Sequence, residues 1–369
     1  MIETIIKAVK RGNKKRGRNI TIGTVIGFLL SCTAVMGAND NYLWIKNDNG
    51  KIEFNKAETI DGDGSWNEGN PYSNNNWVKK TYTNNIALSS NGANGKDGNK
   101  GISYGLRLSG NLTGVNFINN SSIIGTGNNF SYGIYNSGKI GDITNVGIIS
   151  GADNGNGNGN GIYNSATMGN IINRGIISGT VKGNGTGFGN GIYNSGTMEN
   201  ITNGGVINGT GTGTGFGTGI YNSGTMENIT NTELISGTDN GNGNGIYNSG
   251  KIGDITNGGV INGTGTGFGT GIYNSGTMEN ITNTGLISGT VKGNSSGKGY
   301  GITNYSTSTM RNITNTGIIS GYGSSSGEGY GIYNKSTMGK ITNTGVIYGK
   351  TNAIKNDNGT IDPSSNYGI

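Results

Sequence analysis

The sequence has no histidine, one cysteine and two prolines among its 369 residues. Without histidine there is no Ser-His-Asp catalysis and no imidazole ligation of a metal. The lone cysteine, Cys32, precedes the body of the chain, so the body holds neither a disulfide nor a thiol nucleophile. Charged residues are only 12% and hydrophobic residues only 31%. An ordinary pair of domains of this length would bury more apolar side chains, and such a composition taken alone reads as disorder.

Periodicity overrules that reading. Glycine supplies 76 residues, and the stretch from Gly133 to Gly151 (GIYNSGKIGDITNVGIISG) shows how they are placed. Ile134, Asn136, Gly138 and Ile140 fall at spacings of two, and Ile143, Asn145, Gly147 and Ile149 repeat the series. Alternation sends successive side chains to opposite faces of a strand. The unit returns at Gly105, Gly133, Gly161, Gly191, Gly219, Gly245, Gly271, Gly301 and Gly331, at spacings of 26 to 30 residues, with a degenerate copy at Ala353. Self-similarity at this period marks a solenoid. Glycine does not occupy every third position, which excludes collagen.

The formal charge of +6 belongs to the start of the chain. Of 26 Lys+Arg and 20 Asp+Glu, seven cations and one anion (Glu3) fall before Ala38, which leaves 19 of each sign in the body. A neutral body gives no support to binding nucleic acid or anionic lipid. Met1 to Arg18 is basic, and Ile20 to Ala38 is an uncharged run rich in Ile, Val, Leu and Phe. That order is a secretory signal, with cleavage expected near Ala38. Two competitors remain: an uncleaved anchor, which the length of the run permits, and lipidation of Cys32 within Leu29-Leu30-Ser31-Cys32.

Residues 39–104 lack the repeat and hold all three tryptophans, Trp44, Trp66 and Trp77. An open solenoid end exposes core and unpaired strand edges, so this segment reads as an N-terminal cap of short strands, followed by a linker over Ser89–Lys100. Asp61-Gly-Asp63-Gly-Ser65 lacks the later ligands of a calcium loop and reads as a solvated turn.

Residues 105–369 read as an all-β, parallel β-helix of about nine coils. Glycine, asparagine and the period of two exclude helices. Isoleucine and methionine face inward and stack on their equivalents. Inward asparagines at Asn136, Asn164, Asn194, Asn222, Asn248, Asn274, Asn304 and Asn334 form a ladder, each amide bonding to its neighbours above and below. The glycine two residues later reads as a corner in a conformation that a Cβ would hinder. Variation in length falls after each Ile-x-Gly. Glu233 replaces one corner glycine, and the unit at Gly301 carries two extra residues, expected as a bulge at Ser306–Ser308.

The long basic leader and the I-x-N-x-G-x-I/M half-repeats resemble passenger domains of type V secreted proteins (autotransporters) of Gram-negative bacteria. The resemblance covers nearly the whole chain. It implies export by the inner-membrane secretion machinery, passage through an outer-membrane translocator, and a right-handed β-helix at the cell surface or outside the cell. Many such passengers are adhesins, others proteases or toxins. The family's usual translocator barrel is missing here, so truncation or a separate exporting partner is expected.

No catalytic constellation, cofactor motif or phosphate loop appears, and the chain reads as a non-enzyme. Glu199, Glu227 and Glu279 recur at one repeat position and read as a solvated edge. Asp153 and Asp239 open DNGNG stretches without the recurring aspartates of calcium nonapeptides. The remaining surface signal is a row of tyrosines, Tyr135, Tyr163, Tyr193, Tyr221, Tyr247, Tyr273 and Tyr333, interrupted by Thr303. It reads either as stacked aromatics that brace the strands or as a stripe that binds a host-cell protein or glycan. The expected function is a surface or secreted passenger, adhesin-like or structural; the alternative is the scaffold of a toxin or hydrolase whose active part lies elsewhere.

Overall fold

The computed structural model describes residues 43–48, 51–56, 81–85, 87–91, 102–183, 185–293, 296–305, 307–363 and 365–366. The leader with its cleavage region, the Asp61–Ser65 turn and most of the linker lie outside them. Every described strand belongs to one compact unit, Asn39–Ile369, and the described residues contain no helix. The fold is an all-β, parallel β-solenoid of about nine turns.

One coil shows how the sequence builds it. Phe188–Asn194 forms the first side; Thr197–Met198 and Ile201–Asn203 share the second; Val206–Thr210 forms the third. The next coil lies directly above it in parallel register, with Ile192 on Ile220, Tyr193 on Tyr221, Asn194 on Asn222, Met198 on Met226, Ile201 on Ile229 and Ile207 on Ile235. Identical residues coincide because every coil has the same frame. Most length differences are absorbed in the loop after the third side, where ladder pairing has ended. The third sheet runs without a break through ten strands, from Leu88–Asn91 to Val346–Gly349.

The core is a column of one side chain per strand. Ile134, Ile143 and Ile149 are fully buried and Ile140 nearly so, and the column continues from Leu43 to Ile347. Burying each isoleucine stabilises the fold by about 1.5–3 kcal/mol, and the chain concentrates its isoleucine and methionine in this line. Stacking also starts upstream of Gly105. Thr81–Asn84 and Leu88–Asn91 pair parallel with Asn116–Asn119 and Ser122–Gly127. Leu43–Asp48 pairs parallel with Ile102–Leu112 and antiparallel with Lys51–Lys56.

The corner glycines act differently from the sequence expectation. Among the described glycines only Gly110, Gly114 and Gly293 adopt positive φ, and none follows an inward asparagine by two residues in a repeat. A Cβ at Gly147, Gly175 or Gly196 would instead run into the backbone carbonyl of the coil before it. Close approach between coils, rather than a left-handed turn, selects glycine there. Glu233 takes its corner without a positive φ and lies half-exposed.

A second set of glycines draws the first and third sides together. A Cβ on Gly179, Gly209 or Gly237 would land on the carbonyl of Asn190, Thr218 or Asn244 across the interior. The two sheets meet there backbone to backbone, which leaves no room for side chains. The third sheet also hides an outward apolar row. Ile176 and Ile177, Val206 and Ile207, and Leu234 and Ile235 are buried in pairs, although alternation turns only one of each pair inward.

The two extra residues near Gly301 do form a local excursion. Thr307 has φ 66°, the Ser308 hydroxyl donates to Asn304 Oδ1 at 2.7 Å, and Thr309 returns to register on Thr277.

Candidate functional site

Repetition makes every candidate group a row, so its chemistry depends on how its rungs meet. In the inward ladder, Nδ2 of Asn136 donates to Oδ1 of Asn164 at 2.7 Å, and the same bond links Asn164, Asn194, Asn222, Asn248, Asn274, Asn304, Asn334 and Asn356 at 2.7–2.9 Å. Each amide also donates to backbone carbonyls; Asn222 reaches Gly224 at 3.1 Å and Lys251 at 2.9 Å. Desolvated amides are thereby fully used. A parallel inward ladder on the second side links Asn84, Asn119, Asn145, Asn173, Asn203, Asn231, Asn257, Asn283, Asn315 and Asn343.

A third ladder escaped the sequence reading. Asn170 donates to Asp142, Asn200 to Asn170, Asn228 to Asn200, Asn280 to Asp254 and Asn312 to Asn280, all at 2.9–3.0 Å. It faces outward beside the second sheet, half-exposed. The signal was present in the asparagine that follows each of Glu199, Glu227 and Glu279, hidden behind the more conspicuous acids. Those glutamates form a broken row on the surface, and Glu279 pairs with Arg311 at 3.3 Å. Among the described residues no three His, Cys, Asp or Glu side chains converge as a metal site.

The tyrosine row faces outward on the first side. Consecutive rings from Tyr135 to Tyr273 stack with centroids 4.7–5.2 Å apart and planes within 3–9° of parallel. Tyr132 and Tyr104 close the Tyr135 end edge-on, at 5.1 Å each. At Thr303 the ring is supplied by the inserted Tyr305, which stacks on Tyr273 at 5.9 Å. Tyr333 stands apart from this run; it stacks on Tyr300 and Tyr330, and its hydroxyl donates to Asp357 Oδ2 at 2.8 Å. Burial pushes the Tyr163 and Tyr221 hydroxyls above their ordinary range. Ring faces are thus spent on one another, and what the row turns outward is a comb of edges and hydroxyls. A sugar ring has no open aromatic face on which to lie in the middle of the row.

Asp153 and Asp239 occupy the inward position where other coils carry valine or glycine, at the base of the variable loops. Both are buried. Asp153 Oδ1 accepts from Gly155 at 2.9 Å and Gly157 at 3.1 Å, whereas Asp239 Oδ1 accepts only from Gly241, at 2.5 Å. Asp239 Oδ2 has no hydrogen-bond partner, and burial pushes its carboxyl up to about 6. These are loop-closing carboxylates in an Asx turn.

The chain matches no protein-family profile, no curated protein and no solved structure.

Proposed function

We propose that this chain is an exported, surface-displayed β-solenoid passenger, adhesin-like or structural, that meets its partners repeatedly along its length. One observation carries the reading: coil after coil presents the same outward rows in register, on a body with 19 charges of each sign. A surface of equivalent weak contacts gains avidity from their number. The basic leader with its apolar run supports export, to the cell surface or beyond, through the inner-membrane machinery and an outer-membrane translocator. Because the tyrosine faces are mutually covered, the row braces the scaffold, and contact with a host-cell protein or glycan falls to hydroxyls, edges and the variable loops.

Deletion of whole coils is the test. Binding to host cells or immobilised glycans should fall progressively with each coil removed, with no single substitution abolishing it. Hydrolysis of a polysaccharide that vanishes on one Asp or Glu change would establish the toxin or hydrolase alternative instead. Mass spectrometry of the exported protein should find a start at Ala38 or Asn39; a lipid-modified Cys32 or an intact Met1 in the cytoplasm would overturn the export route.

A further inference from the structure

The third ladder has a property that the two inward ones lack. In the inward ladders the amide nitrogen typically contacts three oxygens, as at Asn194, which reaches Asn222, Gly196 and Thr225. In the outward ladder each amide nitrogen makes one hydrogen bond, to the rung before it. Asn200, Asn228, Asn280 and Asn312, part-exposed or exposed, each therefore keep one N–H that no protein acceptor uses. Each of the four also opens the same tripeptide, Asn-Ile-Thr. The isoleucine is fully buried, and its threonine, Thr202, Thr230, Thr282 or Thr314, is exposed. Residues i and i+2 of a strand share a face, so the core-bound isoleucine holds amide and hydroxyl outward together.

We propose that Asn200, Asn228, Asn280 and Asn312 are acceptor sites for N-linked sugar. Asn-x-Thr is the tripeptide that N-glycosylating enzymes accept, and in the outward ladder the structure presents these four copies at the surface. Asn208 and Asn262 begin the same pattern but are buried, with their amide nitrogens donating to Thr210 and Thr264. Asn170 sits in the outward ladder, yet Ile172 stands where the hydroxyl is required. The reaction joins Nδ2 to the anomeric carbon of a nucleoside-diphosphate sugar. The bond from that carbon to the diphosphate breaks, the nucleoside diphosphate leaves, and one amide proton passes to a base of the transferring enzyme. The product amide retains an N–H, which is all the ladder bond uses, so the rung survives the modification. The inference is independent of what the surface binds.

The test uses the full chain isolated from cells that naturally make it, with fragmentation mass spectrometry of its peptides. Sugar is expected on Asn200, Asn228, Asn280 and Asn312, and none on Asn170, Asn208 or Asn262. Thr230→Ala leaves the Asn228 rung intact and should lower occupancy at Asn228 at least tenfold, with the other three sites and the circular dichroism spectrum unchanged. Four bare asparagines, equal occupancy at Asn170, or occupancy of Asn228 indifferent to Thr230→Ala would each overturn the proposal.

Discussion

Replacing Asn222 by leucine isolates the hydrogen bonds of the inward ladder, because the two side chains have nearly the same shape. Asn222 is fully buried; it donates to Asn248, Gly224 and Lys251 and accepts from Asn194 at 2.8 Å. Leucine leaves the Asn194 amide without its acceptor and Asn248 Oδ1 without its donor. Each stranded group costs about 1–3 kcal/mol. The added apolar surface offsets part of this, at about 25 cal/mol per Å², so the net loss is about 2–4 kcal/mol. The comparison is Ser223→Ala one residue on. Ser223 is exposed, its hydroxyl lies 3.3 Å from the Asn194 carbonyl, and its removal changes stability by under about 0.5 kcal/mol. In urea the midpoint should drop by about 1 M or more for Asn222→Leu, for slopes of about 1–3 kcal/mol per M, and hardly move for Ser223→Ala. Solenoids can open from their ends, so hydrogen exchange at Ile220 and Ile246 should accompany the melts. Equal midpoints and unchanged exchange would refute the account of buried, fully used amides.

Asp239 makes stability depend on pH. Its carboxyl is raised to about 6, above the ordinary carboxylate range of the unfolded chain, so the folded state holds the proton more tightly. The stabilisation is therefore complete below about pH 4 and is lost as pH rises through about 6, a change of about 2–3 kcal/mol. Urea midpoints of the parent should fall between pH 4 and 7 by more than those of Asp239→Asn, and parallel curves would refute the burial argument. Gly209→Ala forces a Cβ onto the Thr218 carbonyl where the sheets meet, and should cost about 3 kcal/mol or more. Gly204→Ala, whose nearest neighbours would be 3.7–3.8 Å away, should be neutral or slightly stabilising; thermal melts of the pair decide it. Tyr221→Phe keeps the ring stack and should cost under about 1 kcal/mol, whereas Tyr221→Ala opens the row and should cost about 2–4 kcal/mol. Equal melting temperatures would remove the bracing role of the row.

The solenoid itself was legible in the sequence, because a period of two nested in a period of 26 to 30 residues admits few other arrangements. Inward isoleucines, the first asparagine ladder and the outward tyrosines followed from alternation, a property of the chain alone. What a row does depends on neighbours one coil away, and that only the stacked structure decided. The tyrosine position was readable, but parallel rings about 5 Å apart, with their faces mutually covered, appear only once Tyr193 lies on Tyr221. The glycine after each inward asparagine was readable too. Its cause, a carbonyl of the coil before rather than a left-handed φ, is a distance between residues some 28 positions apart. Asn200 and Asn222 are the same residue in one coil spacing of each other, yet one keeps a spare N–H and the other none. That difference lies in which way the strand faces at each point, and local sequence fixes facing only after the core has chosen its side.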